Sequence, residues 1–445
     1  MTATPRRHGA ESTARAFRIN PPAPGAGRSS ANELDPSNFF WGTGHDPFEI
    51  VDAFDAWWEE VAPRGYYLFG QPMARAPRPR TDIIEQRGKR HLRDLINLAS
   101  YNYLGLSYRP EVIEAACAAV RQFGTGASGS PVQSGYLALH EELSARIADF
   151  KGTEACLLYS SGYAANVGII SALMRAGDLI VTDRLSHASI IDGIALSKAD
   201  VRYFRHNDAE DLDRKLSGFR GRKLVVVEGV YSMDGDLADL PAIVAVAKRH
   251  GARIMIDEAH SAFVFGKRGR GLAEHFGLED AIDIHMGTFS KSLGGQGGYV
   301  VGSRKLIRYL RGYGRAYVFS CALAPAVVGG LIKACDLARA EPELRARLWA
   351  NTALMQSYLR DRGVDIGDSA SQIIPVMVRD DRRVFRVAEE ILERGVYVNP
   401  VRYPAVGKNK SRLRISVTAA HTPADLLAAA DVIANVLARN GVPCR

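Results

Sequence analysis

The chain has little cysteine, no long apolar run and few lysines for its arginine content. Its apolar runs fall short of the ~18 consecutive residues that a membrane-spanning helix requires, so we expect no spanning segment. The cysteines lack the spacing of a metal site, and we therefore expect reduced thiols, no bound metal and a cytoplasmic location. The five cysteines are Cys117, Cys156, Cys321, Cys335 and Cys444.

The charge balance is basic, with a net charge of +8 and an isoelectric point near 9.2. Such an excess suits either a solvated surface or an acidic partner. The aromatic residues do not alternate with basic runs, and no nucleic-acid-binding fold signature is present, so no nucleic-acid partner is expected. At 445 residues the chain exceeds what one core usually organises, which predicts a large domain and a smaller one.

Lys291 is the first candidate catalytic residue. It lies in a loop of glycine and hydroxyl residues, 287–298, which follows a strand-like apolar stretch at 282–286. Asp257 ends a second short apolar stretch. Because ligands in open α/β sheets bind beyond the carboxyl ends of the strands, both residues are expected to face one crevice. An amine that forms an imine and a carboxylate that pairs with a ring nitrogen are what pyridoxal 5'-phosphate (PLP) needs from a protein.

PLP also needs a phosphate cradle and a flat partner for its ring. The segment 155–174 predicts a strand, a turn of small residues and a helix, whose first N–H groups and dipole bind anions. His187 is the candidate for the flat partner. The predicted cradle comprises Ser161, Gly162 and Tyr163, with Thr288 and Ser290 added from the lysine loop.

Each of these residues has a structural alternative when it is considered alone. A lysine in a glycine-rich loop is often a surface residue or an anion contact, an aspartate at a strand end is often a helix cap, and a histidine is often a satisfied polar residue. The interpretation therefore depends on finding all the parts in one chain.

Seven segments, taken in order, resemble the α-oxoamine synthases, a PLP-dependent family, from about residue 97 to the C-terminus. This resemblance implies an α/β protein of aminotransferase fold type I, with a mainly parallel seven-stranded sheet in a large domain and a small α+β C-terminal domain. The matching segments are 101–106, 126–130, 186–189, 228–235, 257–261, 287–298 and 412–421.

The resemblance also implies roles for individual residues. Lys291 matches the imine-forming lysine and general base, Asp257 matches the partner of the pyridine nitrogen, and His187 matches the stacking histidine. His260 and Ser232 match residues near the cofactor's phenolic oxygen, and His260 is counted with the catalytic residues.

Two further matches concern the substrate. Arg414 matches the arginine that holds the amino-acid carboxylate, as suits a planar guanidinium. Arg412, two positions earlier on the same strand face, is the alternative. Asn102 matches an amino-acid contact. Ser320 lies in a segment that contacts the cofactor phosphate of a neighbouring subunit, so the resemblance implies a homodimer with shared active sites.

The implied reaction is a decarboxylating Claisen condensation of a small L-amino acid with an acyl thioester, carried by coenzyme A or by an acyl carrier protein. A serine palmitoyltransferase-like or secondary-metabolic enzyme is favoured, from the sequence at 100–103 and 399–406 and the N-terminal extension, with serine ahead of alanine and glycine. Another α-oxoamine synthase such as oxononanoate synthase, a PLP aminotransferase and a PLP sensor without turnover are the alternatives.

One position departs from the family pattern. The family usually has glycine two residues after the serine of the motif at 257–261, where this chain has Phe263. A bulky ring so near the cofactor strand is expected to narrow or redirect the acyl pocket.

The pattern divides the chain into four parts. Residues 1–35 predict a disordered tail, with a transit peptide as the alternative. Residues 36–96 form an N-terminal extension with an amphipathic helix over 47–61, which packs on the catalytic body or, alternatively, serves carrier docking, a dimer contact or peripheral membrane attachment. The PLP-binding large domain spans 97–335 and the small domain 336–445.

Overall fold

The computed structural model describes residues 46–61, 69–85 and 90–443. The predicted tail at 1–35 and Cys444 lie outside these residues. Among the described residues, no helix combines the length and the apolar character that crossing a bilayer demands.

The strands alternate with helices through the middle of the chain, as the sequence predicts. The strand and helix predicted over 155–174 are present, and the strand-like stretch at 282–286 overlaps a strand. The strands are β1 (Arg80–Glu85), β2 (Arg90–Asn97), β3 (Ala155–Tyr159), β4 (Leu179–Asp183), β5 (Asp200–Phe204), β6 (Lys223–Glu228), β7 (Arg253–Asp257), β8 (Ile284–Thr288), β9 (Gly298–Gly302), β10 (Ile373–Met377), β11 (Val396–Tyr397), β12 (Asn399–Val401) and β13 (Arg412–Ser416).

The helices cover the sheets and connect their strands. They are α1 (Glu49–Val61), α2 (Pro110–Phe123), α3 (Ala138–Lys151), α4 (Gly162–Leu173), α5 (Ala188–Ser197), α6 (Ala209–Leu216), α7 (Leu240–Arg249), α8 (Leu272–His275), α9 (Arg304–Tyr313), α10 (Arg315–Val318), α11 (Pro325–Ala340), α12 (Glu343–Asp361), α13 (Arg383–Glu393) and α14 (Pro423–Arg439).

The amphipathic helix predicted over 47–61 is confirmed as α1. It buries Trp57 and Val61, whereas Phe48 and Val51 are exposed. The burial of Trp57 and Val61 follows from the helical spacing of the apolar residues, whereas Val51, which is part of the same apolar stripe, stays exposed.

A seven-stranded sheet with the order β3-β9-β8-β7-β6-β4-β5 forms the centre of the molecule. The expectation of a mainly parallel sheet is confirmed, because only β9 runs antiparallel to its neighbours β3 and β8. The interior of β4, β6 and β7 is apolar and buried, as parallel strands covered by helices on both faces require. Their carboxyl ends open on one edge of the sheet, where the candidate residues lie.

Two three-stranded sheets contain the strands that follow the central sheet in the chain. One has the order β10-β13-β12, and the other joins β1 and β2 to β11. Residues 80–97 of the predicted N-terminal extension thus pair with a C-terminal strand, through a parallel contact of β2 with β11. A second apolar core beneath these sheets includes Ile96 and Leu98 together with residues of α12, α13 and α14.

Candidate active site

Two acidic side chains stand side by side at the carboxyl ends of the central strands. Glu228 ends β6 and Asp257 ends β7, and the two residues are paired in register. Both are buried. Burial raises the pKa of Glu228 well above its ordinary value, and the nearby Asp257 acts in the same direction. Burial therefore favours the neutral form of Glu228, whereas both oxygens of Asp257 accept hydrogen bonds.

Asn166 is the side-chain partner of Asp257. It lies on α4, is 1% exposed, and its Nδ2 donates to Asp257 Oδ2 over 2.7 Å and to Ser189 Oγ over 2.9 Å. The backbone N–H of Ala259 donates to Asp257 Oδ1 over 2.9 Å. Asp257 is thus held in one orientation at the end of its strand. Asn166 Oδ1 is buried and has no partner.

His187 lies at the mouth of the same crevice and caps α5. Its backbone N–H donates to Glu228 Oε1 over 2.6 Å, and its Nδ1 accepts from the Ser189 N–H over 3.2 Å. Because Nδ1 is an acceptor, the ring proton of the neutral imidazole lies on Nε2. Desolvation by the surrounding protein lowers the pKa of His187, and the charge of Asp257 opposes this shift. The predicted stacking residue is therefore neutral and fixed at its backbone.

Lys291 follows β8 by three residues and is half-buried. Burial lowers the pKa of Lys291 to about 8, and the charge of Arg414 acts in the same direction, whereas Asp257 and Glu228 oppose it. Because these charges act on Lys291, the predicted lysine lies near the predicted carboxylate Asp257 and the predicted arginine Arg414. An amine with this pKa is about one-tenth neutral at pH 7, far more than an unperturbed lysine, and the neutral form is the nucleophile.

The predicted phosphate cradle forms at the start of α4. Ser161 is the N-cap, and its Oγ accepts from the Ala164 N–H over 3.0 Å. The N–H groups of Gly162 and Tyr163 belong to the first turn and have no preceding turn to accept them. A Cβ at Gly162 would lie 3.2 Å from the Cβ of Thr288, so glycine allows the helix to approach the lysine loop. The Tyr163 hydroxyl donates outwards to Asp192.

Three predicted cofactor residues make few contacts with the groups described so far. Ser290 is exposed, although its N–H donates to Thr288 Oγ1 over 3.2 Å. Ser232 is half-buried in the turn after β6. Ser320 donates to Ser160 Oγ over 3.3 Å, which places it beside the cradle of its own chain.

His260 is buried and lies near Lys291, whose charge acts on it. Its Nδ1 is 2.8 Å from the hydroxyl of Tyr103. Burial lowers the pKa of His260 well below its ordinary value, and the charges of Lys291 and Arg414 add to that effect. The imidazole is therefore neutral.

The two arginines of β13 differ in their partners. Arg412 bonds within the protein. Its Nη1 donates to Asp234 Oδ1 over 2.5 Å and to the Met233 carbonyl over 2.9 Å, and its Nε donates to the Lys410 carbonyl over 2.9 Å. The guanidinium of Arg414 lies 4.3 Å from the centroid of the Tyr101 ring. Its Nε and Nη2 are buried without an acceptor.

Asn102 uses its amide within the chain. Its Nδ2 donates to Ser107 Oγ over 2.9 Å, and its Oδ1 accepts from the Ser107 N–H over 3.4 Å. A Cβ at Gly294 would lie 2.9 Å from Asn102 Oδ1, so this turn packs closely on the lysine loop.

Phe263 departs from the expectation. Its φ is +65°, in the left-handed region that glycine favours. Its ring is 2% exposed and stacks on Phe150 of α3, with centroids 4.2 Å apart and an interplanar angle of 3°. The expected narrowing of an acyl pocket is not what the structure shows, because the hydrophobic core takes up the ring.

The sequence interpretation assigned no role to Asn166 or Glu228, although both lie in segments that it used, or to Tyr101 and Tyr103 individually. Asn166 carried a readable signal, since it is the sole amide in the otherwise apolar helix α4. Glu228 carried a weaker one, because a carboxylate that ends a buried strand resembles Asp257 in position.

The residues present fit PLP. A carboxylate ends the central strand, a helix N-terminus lies beside a threonine, an amine of low pKa follows β8, and a buried guanidinium lacks an acceptor. The comparisons with known proteins agree. The family model described as aminotransferase class I and II matches residues 93–433.

The chain is 43% identical over 340 residues to 8-amino-7-oxononanoate synthase of Thermoanaerobacter pseudethanolicus, covering 76% of this chain and 86% of that protein. It is 36% identical over 442 residues to 4-hydroxy-2,2'-bipyrrole-5-methanol synthase PigH of a Serratia species, covering 98% of this chain and 67% of that protein.

A solved serine palmitoyltransferase of S. paucimobilis with bound PLP–myriocin superposes with a TM-score of 0.85 at 36% identity, covering 89% of this chain and all of that chain. The expected fold type I and the PLP dependence are thereby confirmed. The chain belongs to the aminotransferase class I and II family, and within it to the PLP-dependent α-oxoamine synthases, which are acyltransferases.

Proposed function

We propose that this enzyme condenses L-serine with an acyl thioester, releases carbon dioxide and the free thiol of the acyl carrier, and forms an α-amino ketone. The observation that carries this proposal is Arg414, a buried guanidinium with two donor atoms free, near Lys291. A carboxylate satisfies such a group with two parallel hydrogen bonds. The site therefore suits an amino acid.

We assign PLP to the pocket between His187, Asp257, Lys291 and the first turn of α4. When bound, PLP supplies an aldehyde for the amino group and a ring that withdraws electrons from the α-carbon. Asp257 would hold the ring nitrogen, with Asn166 fixing its orientation. The N–H groups of Gly162 and Tyr163 would hold the phosphate, because a helix start binds anions.

The protein side chains then perform the proton transfer. Lys291 has a pKa of about 8, so its neutral amine accepts the α-proton of the amino acid near neutral pH. Arg414 would orient the carboxylate, and the Tyr101 ring fixes the plane of the guanidinium. Orientation of this kind accounts for a large part of many barriers, on the order of 7 kcal/mol in favourable intramolecular cases.

Serine is supported by two of the relatives. One solved neighbour is a serine palmitoyltransferase. The relative that matches 98% of this chain, including its N-terminal extension, is named for a product that carries a methanol group. Serine is the amino acid whose side chain is a hydroxymethyl group. A second candidate is oxononanoate synthase, favoured by the 43% identity to that enzyme.

Carboxyl-labelled amino acids test the proposal. Labelled carbon dioxide should be released from serine only when an acyl thioester is present, and faster than from alanine or glycine. Thioesters of coenzyme A and of an acyl carrier protein, tried in parallel, identify the carrier. Release from alanine alone favours the second candidate. Exchange with a keto acid and no carbon dioxide would contradict both.

We also propose a homodimer. Phe319 is 74% exposed beside Ser320, which contacts the phosphate cradle, so an apolar surface lies next to the site. A second subunit covering this surface would complete the active site. Light scattering of the purified protein tests this proposal, and a monomer at working concentration would contradict it.

A further inference from the structure

A half-buried histidine outside the pocket joins two segments that carry predicted site residues. His206 follows β5, and its Nδ1 lies 3.0 Å from Asp183 Oδ2. Its Nε2 lies 2.6 Å from Asp236 Oδ2. The ring also meets the Tyr231 ring edge-on at 4.5 Å. No role for His206 follows from the proposed function.

The geometry determines the protonation state of His206. Each ring nitrogen faces a carboxylate oxygen, and each must carry a hydrogen to make a hydrogen bond, so the ring is an imidazolium. Burial alone would lower its pKa, but the hydrogen bonds to Asp183 and Asp236 outweigh that effect and raise the pKa of His206 to about 10. The stabilisation is complete below the unfolded value of ~6.5 and is lost only as the pH rises through about 10.

Asp183, the carboxylate that faces Nδ1 of His206, holds the segment that leads to His187. Asp183 ends β4 and is fully buried. Besides the imidazolium it accepts from the N–H groups of Leu185 and Asn207, at 2.8 and 3.0 Å, and from the Tyr231 hydroxyl at 3.1 Å. Four residues further on, the His187 N–H is bound to Glu228. The position of the imidazole therefore depends on a short segment fixed at both ends.

The Asp236 end holds a different segment, the turn after β6. The Tyr231 N–H donates to the Asp236 carbonyl over 3.0 Å, which closes the turn that contains Ser232. Asp234, in the same turn, pairs with Arg412 of β13 over 2.5 Å. Arg414 is two residues along that strand. The Asp236 end thus connects to Ser232 and to the arginine strand.

We infer that His206 is a positioning residue that bridges Asp183 and Asp236, so that the His187 segment and the turn carrying Ser232 and Asp234 keep one relative arrangement. This inference rests on the proposed placement of PLP and the amino acid. His206 touches neither of them, and it acts through the two segments.

Two conservative variants remove one end of the bridge at a time. An asparagine amide nitrogen occupies the place of Nδ1, and a glutamine amide nitrogen occupies the place of Nε2. His206→Asn therefore keeps the bond to Asp183 and loses the bond to Asp236, whereas His206→Gln does the reverse. His250→Gln is the matched control, because His250 pairs with Asp213 over 2.9 Å on the same domain but contacts no site segment.

The experiment measures three quantities for each holoenzyme: the Kd of PLP, the melting temperature, and the KM of serine or of whichever amino acid releases carbon dioxide in the assay above. His206→Gln should raise the Kd of PLP about tenfold, with a smaller change in KM, because it frees the His187 segment. His206→Asn should raise the KM about tenfold, with a smaller change in Kd, because it frees the Ser232 turn. The control should change neither quantity.

The bridge is supported if His206→Gln mainly raises the Kd of PLP and His206→Asn mainly raises the KM. A purely structural histidine would lower the melting temperature of both variants without separating the Kd from the KM. Equal changes in both variants, or none beyond the control, would overturn it. If either variant fails to fold, Asp236→Asn takes its place, because it keeps an acceptor for Nε2 and removes one charge. This variant should raise the KM of the amino acid about threefold without changing the Kd of PLP. An unchanged KM would overturn the inference. Should alanine replace serine as substrate, the proposed function fails and this comparison proceeds with alanine.

Discussion

The cofactor side and the substrate side of the pocket differ in how far their polar groups are satisfied. Beyond the strand ends of the large sheet, Asn166 Nδ2 donates to both Asp257 and Ser189, and Ser189 bonds to His187. Asn166 Oδ1 is the exception, because it has no partner. On β13, Arg414 keeps two buried donors without an acceptor.

This difference separates a preformed part of the site from a part that awaits its ligand. A buried donor without a partner costs about 1–3 kcal/mol, and the fold retains that cost at Arg414. A carboxylate that binds there removes it. In the proposed placement of the ligands, the cofactor side is fixed by the protein, whereas the substrate side would obtain much of its affinity from a group that only the substrate supplies.

The largest expected effect comes from removing the amine. Lys291→Ala should abolish turnover, because no other side chain supplies the imine nitrogen or the base. PLP should still bind, since Asp257 and the α4 N-terminus remain. The measurement is carbon dioxide release together with PLP content, and Lys305→Ala, a change at an exposed lysine, is the control. Turnover at the wild-type rate would remove Lys291 from its role.

The next effect sharpens the comparison between the two arginines. Arg414→Ala should weaken amino-acid binding by about 1.5–3 kcal/mol, as expected for a lost charged hydrogen bond. Arg412→Ala should act mainly on stability, lowering the free energy of unfolding by about 1–3 kcal/mol, because its bonds lie within the protein. Spectral titration with serine and denaturant unfolding separate the two. An unchanged affinity of Arg414→Ala for serine would show that another group binds the amino-acid carboxylate.

A pH profile tests the amine itself. Because the pKa of Lys291 is about 8, its neutral fraction falls with decreasing pH below that value. The rate at which the cofactor-free protein takes up PLP should therefore rise from pH 6, pass its midpoint near pH 8 and level off about one pH unit above that. N-acetyl-lysine methyl ester, an unperturbed amine with a pKa of ~10.4, is the control for the titration of PLP. A protein midpoint near that of the control would show that the pocket does not perturb the amine.

The smallest effect on activity is expected at Phe263. Phe263→Gly removes a ring from the core, which typically costs 3–5 kcal/mol, and relieves a positive φ worth about 1 kcal/mol. Stability should fall by about 2–4 kcal/mol while the KM for the acyl thioester stays unchanged. Thermal unfolding and acyl-chain-length profiles measure both quantities. A changed chain-length preference would restore the role in the acyl pocket that the sequence favours.

Much of the fold was predictable because its signals are local. The strands β6 and β7 are short apolar runs between turn residues, and α7 and α14 follow helical spacing. The pairing of β2 with β11 was not predictable from local signals. It joins segments about 300 residues apart in the chain, and their meeting depends on how the chain between them folds. Likewise Lys291 and Asp257 were identifiable from strand ends and neighbouring residues, whereas the burial of Phe263 against Phe150 depends on how α3 lies on the sheet.

The sequence by itself determined the alternation of strands and helices, the family, and the lysine and carboxylate that are proposed to hold the cofactor, since each is recognisable in short runs of residues. Only the tertiary structure decided which arginine of β13 is free, that Asn166 orients Asp257, and that His206 lies between two carboxylates. Those outcomes depend on which side chains from distant segments meet in a space without water, where an unpaired polar group is costly.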